Sequence, residues 1–203
     1  MLPLPILAQA SGWKPPRNKY VTLYHGCTTK DRDEIEKHGV KPQLGRANTD
    51  FGQGFYTTTL ERQAKHWAWA RFYHPRFSRT SGYQPVVLTF HVERHQLAKL
   101  DVLSFQLGDY LQEDFWSLVQ HCRQSSTPSS SQTPQINHHD GPHAQHNGEW
   151  YDIVCGPVSA FWKQRSAMQD SDQFSFHTDA AAQLLNVLIH SNDKSKYDSQ
   201  IIQ

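Results

Sequence analysis

Hydrophobic and polar residues alternate along several short stretches of the chain. Val21 and Leu23 open the first of these, 20–24, and the phenylalanines of 173–177 alternate with polar residues. Residues 85–92 are almost continuously apolar and rich in valine. Alternation with a period of two is typical of a half-buried strand, and a continuous apolar run is typical of a central one. With weaker patterns elsewhere, the chain predicts strands at 20–24, 55–57, 85–92, 100–103, 150–158 and 173–177.

At several points, apolar residues at helical spacing stand next to residues that typically begin or end a helix. Thr58 and Glu61 form a capping-box pattern before an amphipathic segment that His74–Pro75 ends. An acidic first turn and Gly39 frame a shorter helix. Because strands outnumber helices and do not alternate strictly with them, we expect an α+β fold with a mixed or antiparallel sheet. The predicted helices are 31–38, Thr58 to His74, 110–122 and Thr178 to Leu188.

The length of 203 residues suits one domain with tails. Residues 1–19 contain several prolines and are predicted to form a flexible leader; they lack the positive start of a secretory signal. A single domain is expected over 20–190. Within it, 124–148 is a low-complexity insertion of Ser, Thr, Pro, Gln, Asn and His. Residues 191–203 are predicted to be a polar tail.

Composition narrows the classes of partner. The formal net charge of +1 leaves no overall basic field to attract nucleic acid or an anionic membrane, and no apolar run is long enough to span a bilayer. Cys27, Cys122 and Cys155 have no CxxC spacing, which argues against a disulfide framework. We therefore expect no membrane partner and an intracellular location, cytoplasmic or nuclear, with secretion as an effector left open. We also expect a monomer.

Two other kinds of site are weighed and set aside. The low-complexity segment holds four histidines at spacings that a metal could use, but only Asp140 accompanies them as a carboxylate. No metal site is therefore predicted. Gly52-x-Gly54 lacks the third glycine and the βαβ context of a dinucleotide fingerprint. The four histidines are His138, His139, His143 and His146.

Two motifs carry the candidate chemistry. Tyr24 to Cys27 ends a predicted strand with His25 beside Gly26, and a glycine lets a ligand approach the main chain because it has no Cβ. Asp50 to Thr58 is a glycine-punctuated loop that delivers Tyr56 into a β-favouring segment. A tyrosine ring can stack on a cationic or aromatic ring. Together they could hold a nucleotide cofactor with a charged heteroaromatic ring.

The order of these motifs resembles the ADP-ribosyltransferase superfamily. The similarity is to its His-Tyr-Glu branch, which diphtheria-type toxins and poly(ADP-ribose) polymerases share. It is closer still to a little-characterised microbial and fungal family in which Gln takes the place of Glu. The resemblance runs from about Val21 to Leu188 without the insertion. Besides His25-Gly26, it rests on Asp50-Phe51-Gly52-x-Gly54-Phe55-Tyr56, Gln63-Ala64, Trp67-Ala68, Tyr151 to Val158, and Gln173-x-x-Phe176-His177-Thr178.

This resemblance implies that NAD binds as a co-substrate in a cleft between split sheets flanked by helices, without a metal. His25 would bond the adenosine ribose and the Gly26 backbone would hold the carboxamide. Tyr56 would stack on the nicotinamide, with Trp67 as a second aromatic. The implied cofactor-binding residues are His25, Gly26, Cys27, Gly54, Phe55, Tyr56 and Trp67, and the implied catalytic residues are His25, Tyr56 and Gln173.

Gln173 stands where classical relatives have the catalytic Glu. Its amide can donate and accept hydrogen bonds, but it carries no charge and cannot act as a general base. We therefore expect transfer of a single ADP-ribose unit to a macromolecule, protein or nucleic acid, and not chain elongation. The alternatives are an NAD glycohydrolase, an RNA 2′-phosphotransferase of the same fold, and a catalytically silent module that binds ADP-ribose or a protein.

Overall fold

A computed structural model describes residues 19–73, 83–106, 113–124 and 151–202 of the chain. Short 3-10 turns lie at Pro42–Leu44 and Trp162–Gln164. The strands are β1 (Tyr20–Thr28), β2 (Phe55–Thr57), β3 (Pro85–Glu93), β4 (Val102–Ser104), β5 (Ile153–Gly156), β6 (Ser159–Phe161), β7 (Ser166–Ala167), β8 (Gln173–Phe176) and β9 (Tyr197–Ile201). The helices are α1 (Thr29–His38), α2 (Glu61–Tyr73), α3 (Arg94–Leu97), α4 (Glu113–Gln124) and α5 (Asp179–Ile189).

The first sheet is antiparallel, with strand order β1-β3-β9. Its central strand β3 is the continuous apolar run of the sequence, and Val86, Leu88 and Phe90 are fully buried in it. They pack in one hydrophobic cluster with α5, whose Ala181 and Leu185 are fully buried too. The apolar run thus forms a central strand, as the sequence predicts.

The second sheet has strand order β2-β8-β5-β4 and is mixed, because β4 and β5 are parallel while the other pairs are antiparallel. It separates two hydrophobic clusters. Phe55 and Phe176 belong to the cluster shared with the first sheet, whereas Tyr56 and Val154 face a second cluster built on α4. Alternation along each strand therefore divides its side chains between two cores.

The two sheets meet at one pair of residues. Tyr24 of β1 and Thr58, just after β2, exchange both backbone hydrogen bonds, with N···O distances of 2.7 and 2.9 Å. No further bridge joins β1 to β2 among the residues that the structure describes. Tyr24, His25, Gly26, Tyr56 and Thr58 are called the sheet junction below.

The helix N-termini show one confirmed prediction and one error. Thr178 caps α5 by accepting a hydrogen bond from the Ala181 backbone at 3.2 Å, as predicted. The predicted capping box of Thr58 and Glu61 is wrong, because α2 begins at Glu61 itself, and the Thr58 hydroxyl accepts the Leu60 backbone N–H and donates to Asp172. The Asp172 carboxylate also accepts a hydrogen bond from the backbone N–H of Thr59, just before α2, at 2.9 Å.

The predicted α+β class with mixed and antiparallel sheets is confirmed. The predicted polar tail over 191–203 is wrong, because β9 pairs with β3 as the third strand of the first sheet. The ring of Tyr197 in β9 packs on Phe90 with 5.3 Å between centroids, and the Tyr197 hydroxyl bonds Glu36 at 3.0 Å. Pairing with β3 and the packing of Tyr197 thus hold a strand whose sequence is mainly polar.

Parts of the predicted organisation lie outside the described residues. These are the leader up to residue 18, nearly all of the 124–148 insertion and its histidines, and the first residues of the predicted 110–122 helix. Among the helices that are described, none has the length and apolar character that a membrane crossing requires.

Candidate functional site

His25 points its side chain from β1 towards the edge of the second sheet. Its Nδ1 lies 2.6 Å from the Tyr56 carbonyl oxygen, and its ring stacks on Phe55 with 4.3 Å between centroids. A carbonyl oxygen only accepts, so Nδ1 must carry the proton. Burial lowers the pKa of His25 to about 4, and the ring is therefore neutral at pH 7. Nε2 is left with a lone pair, and no group of the described chain bonds it.

Gly26 offers backbone groups at the point where the sheets separate. In an antiparallel ladder the direction of the backbone groups alternates with a period of two. The backbone N–H and C=O of Tyr24 point away from β3 and bond Thr58. Two residues later, the N–H and C=O of Gly26 point to the same edge of β1, beyond its last backbone hydrogen bond to the second sheet. The sheet junction thus presents one donor and one acceptor side by side.

The glycine is also required by packing. A Cβ at Gly26 would collide with the carbonyl oxygen of Ala64 and lie 2.7 Å from the backbone nitrogen of Ala68. Both atoms belong to α2, which lies directly over β1. Close packing of this helix thus accounts for the glycine that the sequence analysis assigned to ligand approach.

Tyr56 is anchored by its hydroxyl. The hydroxyl accepts the backbone N–H of Phe51 at 3.0 Å, donates to the Gly52 carbonyl at 2.7 Å, and lies 2.7 Å from the Thr49 hydroxyl. Burial raises the pKa of this phenol well above its usual range. The hydroxyl is thus a fixed structural group, and only the half-buried ring is left to contact a ligand.

Gln173 lies at the start of β8 with a side chain that is only 7% exposed. Its Nε2 donates to Asp50 Oδ2 at 2.8 Å and to the Pro157 carbonyl at 2.9 Å. Asp50 also accepts from Arg123 Nη2 at 2.6 Å and from the Ser159 backbone at 2.7 Å. Asp50, Arg123, Ser159 and Gln173 are called the Asp50 cluster below.

The sequence analysis selected neither Asp50 nor Arg123 as a site residue. Asp50 opens the glycine-punctuated motif, which was a signal that it matters. No local pattern could supply its partners, because Arg123 and Gln173 are 73 and 123 residues away along the chain.

The structure places the three predicted catalytic residues on two faces of the second sheet. Tyr56 is paired across the sheet with Ser175, two residues from Gln173, so Tyr56 and Gln173 face the same side of the second sheet. His25 stacks on Phe55, which faces the other side. His25 and Tyr56 touch through the Tyr56 carbonyl, whereas the Gln173 amide bonds Asp50 and Pro157. The candidate site is therefore centred on the sheet junction, where His25 and Tyr56 meet.

Comparison with known proteins identifies a family without assigning an activity. A family model described as "protein of unknown function (DUF3990)" matches residues 21–160, which is 140 of the 203 residues. The chain belongs to the DUF3990 family. No curated protein and no solved structure matches it. The part that defines the DUF3990 family includes the whole sheet junction and Asp50, whereas Gln173 lies beyond it.

The structure buries three other predicted ligand contacts of this DUF3990 protein. Cys27 was predicted to contact the cofactor, and this is corrected: its side chain is fully buried in the main core, on the face of β1 that it shares with Leu23. Burial also raises the pKa of its thiol far above the usual range. Gly54 and Phe55 are buried, and a Cβ at Gly54 would collide with the Ser175 hydroxyl. Both of these residues serve packing.

Trp67 keeps 48% of its surface exposed on α2. It lies one helical turn beyond Gln63, whose Nε2 donates to the Asp172 carbonyl at 2.6 Å. Since Asp172 directly precedes Gln173, this stripe of α2 faces the start of β8. Trp67 is therefore an accessible aromatic ring on the side of α2 nearest the candidate site.

Stability is expected to fall on acidification because two histidines are buried in the neutral form. Burial lowers the pKa of both His25 and His177 to about 4, against an ordinary value of 6.5. Between these two pH values the unfolded chain binds more protons than the folded one, so acid favours unfolding. We expect the free energy of unfolding to drop by about 2 kcal/mol per histidine from pH 7 to pH 5.

Urea unfolding of the wild type and of His177→Asn at both pH values measures this effect. The Nδ1 of His177 lies 2.8 Å from the Gln53 carbonyl, to which an asparagine amide can also donate. The variant should lose about 2 kcal/mol less than the wild type on acidification. His95→Asn, at an exposed position, is the control and should follow the wild type. Equal losses in all three proteins would contradict the expectation.

Proposed function

We propose that this DUF3990 protein cleaves the bond between nicotinamide and ribose in NAD and transfers one ADP-ribose unit to a macromolecule. We further propose that its two sheets have the split-sheet arrangement of the ADP-ribosyltransferase superfamily, which its motifs resemble. The observation that carries both proposals is the sheet junction. There a neutral His25, held by the Tyr56 carbonyl, adjoins the free backbone edge of Gly26.

The polar groups of the junction match those of nicotinamide riboside. A primary carboxamide has one acceptor oxygen and an NH₂ donor, and the Gly26 edge offers one N–H and one C=O. The His25 Nε2 lone pair can accept the hydrogen of a ribose hydroxyl. The rings of Tyr56 and Trp67 supply apolar faces for a cationic pyridinium. Each contact uses an atom that the folded chain leaves available.

The proposed reaction needs no metal and no redox partner. The bond from ribose C1′ to the pyridinium nitrogen breaks, and its electron pair stays on that nitrogen, so nicotinamide leaves as a neutral molecule. The sugar passes through an oxocarbenium-like state. A nucleophilic oxygen or nitrogen of the acceptor then forms a bond to C1′ and releases its proton to solvent. With water in that role, the product is free ADP-ribose.

The Asp50 cluster supports single transfer over chain elongation. Elongation requires activation of a ribose hydroxyl as nucleophile, which is the task of a general base. The residue at the start of β8 is an amide, and the nearby Asp50 carboxylate is 2% exposed and bonded to Arg123. No carboxylate of this cluster is therefore free to take a proton.

Release of nicotinamide from NAD tests the proposed function. Wild-type protein should release it, and His25→Ala should do so at least about tenfold more slowly, the effect of losing roughly 1.4 kcal/mol of transition-state stabilisation. His95→Ala is the control, because it removes a half-exposed histidine that pairs with Glu93 at the far end of the first sheet. Melting temperatures of all three proteins exclude unfolding as the cause.

The results of these assays distinguish ADP-ribose transfer, NAD hydrolysis and a silent binding module. Labelled NAD incubated with protein, RNA and DNA acceptors distinguishes transfer from hydrolysis, since only transfer labels the macromolecule. If NAD binds but wild-type protein releases no nicotinamide, the chain is a silent binding module. Equal release by the wild type and by folded His25→Ala would refute the assignment of the site.

A further inference from the structure

Strand β9 gives the first sheet an open edge. It pairs with β3 on one side, and among the residues that the structure describes no strand pairs with its other side. An open edge can add a strand from another chain, and many proteins block their edges with charges or proline. β9 contains a single charged residue, Asp198, and no proline. Its outer edge is therefore well suited to accept a further strand.

The hydrogen bonds between β9 and β3 show which backbone groups face outwards. The Lys196 carbonyl, just before β9, accepts a hydrogen bond from β3 at 2.9 Å, and the Ile202 N–H, just after β9, donates to β3 at 3.1 Å. In an antiparallel ladder the backbone groups of successive residues point to alternate sides. Every second residue therefore bonds β3, and the residues in between point their N–H and C=O outwards. The outward residues are Tyr197, Ser199 and Ile201.

This outer edge is complementary to a second copy of itself. A two-fold axis at Ser199 places Tyr197 opposite the partner's Ile201, so every outward N–H and C=O of both strands finds a partner. Asp198 then lies opposite the partner's Gln200, whose amide can donate to the carboxylate. An axis at Asp198 would instead set two like charges directly opposite each other, which is unfavourable. The sequence of β9 thus favours the register centred on Ser199.

The space beside this edge can receive a side chain of the partner. A cavity of about 410 Å³ lies where α2 approaches the end of β9, and Lys65, Trp69 and Gln200 line it. The partner's Asp198, directly opposite Gln200, extends on the same face of the sheet and therefore towards this cavity. The Lys65 side chain is 44% exposed there, and its ammonium group complements the charge of that carboxylate.

We infer that two copies of this chain pair through β9, so that their first sheets join into one antiparallel sheet. The interface is small, and the dimer therefore dissociates at micromolar concentrations. This replaces the monomer that the sequence alone predicts. β1 lies at the opposite edge of the first sheet, so the pairing leaves the sheet junction of each copy accessible. The inference does not depend on the proposed function.

Sedimentation velocity across the micromolar range tests the dimer. Gln200→Asp sets a second carboxylate opposite the partner's Asp198 and should raise the dissociation constant at least about tenfold. Gln200→Lys sets an ammonium group there and should lower the constant. Gln183→Asp, at an exposed position of α5, is the control and should leave it unchanged. Melting temperatures show that each variant is folded.

Ser199→Cys tests the register. Directly opposite residues of a hydrogen-bonded pair have Cα atoms about 5.5 Å apart, a separation that a disulfide can span. Oxidised glutathione should therefore convert this variant into a covalent dimer on a non-reducing gel. The native cysteines, Cys27, Cys122 and Cys155, are buried and should not react. Ser195→Cys, exposed and well away from the two-fold axis, is the control and should form no such dimer.

Several results would overturn the inference. A wild type that stays monomeric throughout, with no cross-link in Ser199→Cys, would show that β9 does not pair with a second copy. A dimer that responds equally to Gln200→Asp and Gln200→Lys, or that cross-links at Ser195→Cys instead, would show that the copies meet elsewhere or in another register. None of these measurements involves NAD, so failure of the proposed function would leave the result intact.

Discussion

Replacing Asp50 by alanine is expected to lower the free energy of unfolding by about 3 kcal/mol or more, the scale for breaking a buried ion pair by removing one partner. The carboxylate is 2% exposed and accepts hydrogen bonds from Arg123, Ser159 and Gln173. Its removal leaves the Ser159 N–H and one N–H of the Gln173 amide without an acceptor in the interior. These donors come from α4, β6 and β8, so one side chain joins three elements.

Chemical denaturation of Asp50→Ala measures this loss. The matched control is Asp33→Ala, which removes a carboxylate that bonds Arg32 at 2.7 Å on the surface, where the Asp33 side chain is 64% exposed. Exposed ion pairs contribute less than about 1 kcal/mol, so the control should barely change stability. A loss below about 1 kcal/mol for Asp50→Ala would show that the cluster does not hold the second sheet to α4.

Gly26→Ala is expected to lower the free energy of unfolding by about 3 kcal/mol, the upper end for overpacking a core. The new Cβ would collide with the Ala64 carbonyl and crowd the Ala68 nitrogen. These are backbone atoms of α2, so relief requires the whole helix to shift away from β1. Such a shift would also move Trp67 and weaken any ligand bound at the sheet junction.

The control for Gly26 is Gly52→Ala. Gly52 has φ of 78°, where alanine is strained, but a Cβ there would meet its nearest atom, Cys122 Sγ, at an ordinary 3.5 Å. Its expected loss is about 1 kcal/mol, from backbone strain alone. Thermal or chemical unfolding compares the two variants. A smaller loss for Gly26→Ala than for Gly52→Ala would contradict the close packing of α2 on β1.

Local patterns in the sequence predict much of the fold. The apolar run forms the central strand β3, alternation marks β1 and β8, and Thr178 caps α5, because each signal depends on neighbours within a few residues. Strand β9 was missed since its sequence is mainly polar, and its pairing with β3 and the contact of Tyr197 with Phe90 involve residues far away along the chain.

Local patterns likewise predict only part of the candidate site. The motifs point to His25 and Tyr56, and the fold brings them within 2.6 Å of one another. The burial of Cys27 and the steric need for Gly26 depend on which face of β1 meets the core and which meets α2. The Asp50 cluster joins residues up to 123 positions apart, and no local pattern encodes that distance.

Binding of nicotinamide at the sheet junction is the central claim, and a crystal structure tests it most directly. The crystals would contain an NAD analogue whose nicotinamide ribose is carbocyclic, so that the bond to the pyridinium cannot be cleaved. The account predicts that the carboxamide bonds both the N–H and the C=O of Gly26, with a ribose hydroxyl on His25 Nε2. A saturating analogue that binds elsewhere, or leaves this edge empty, would contradict it.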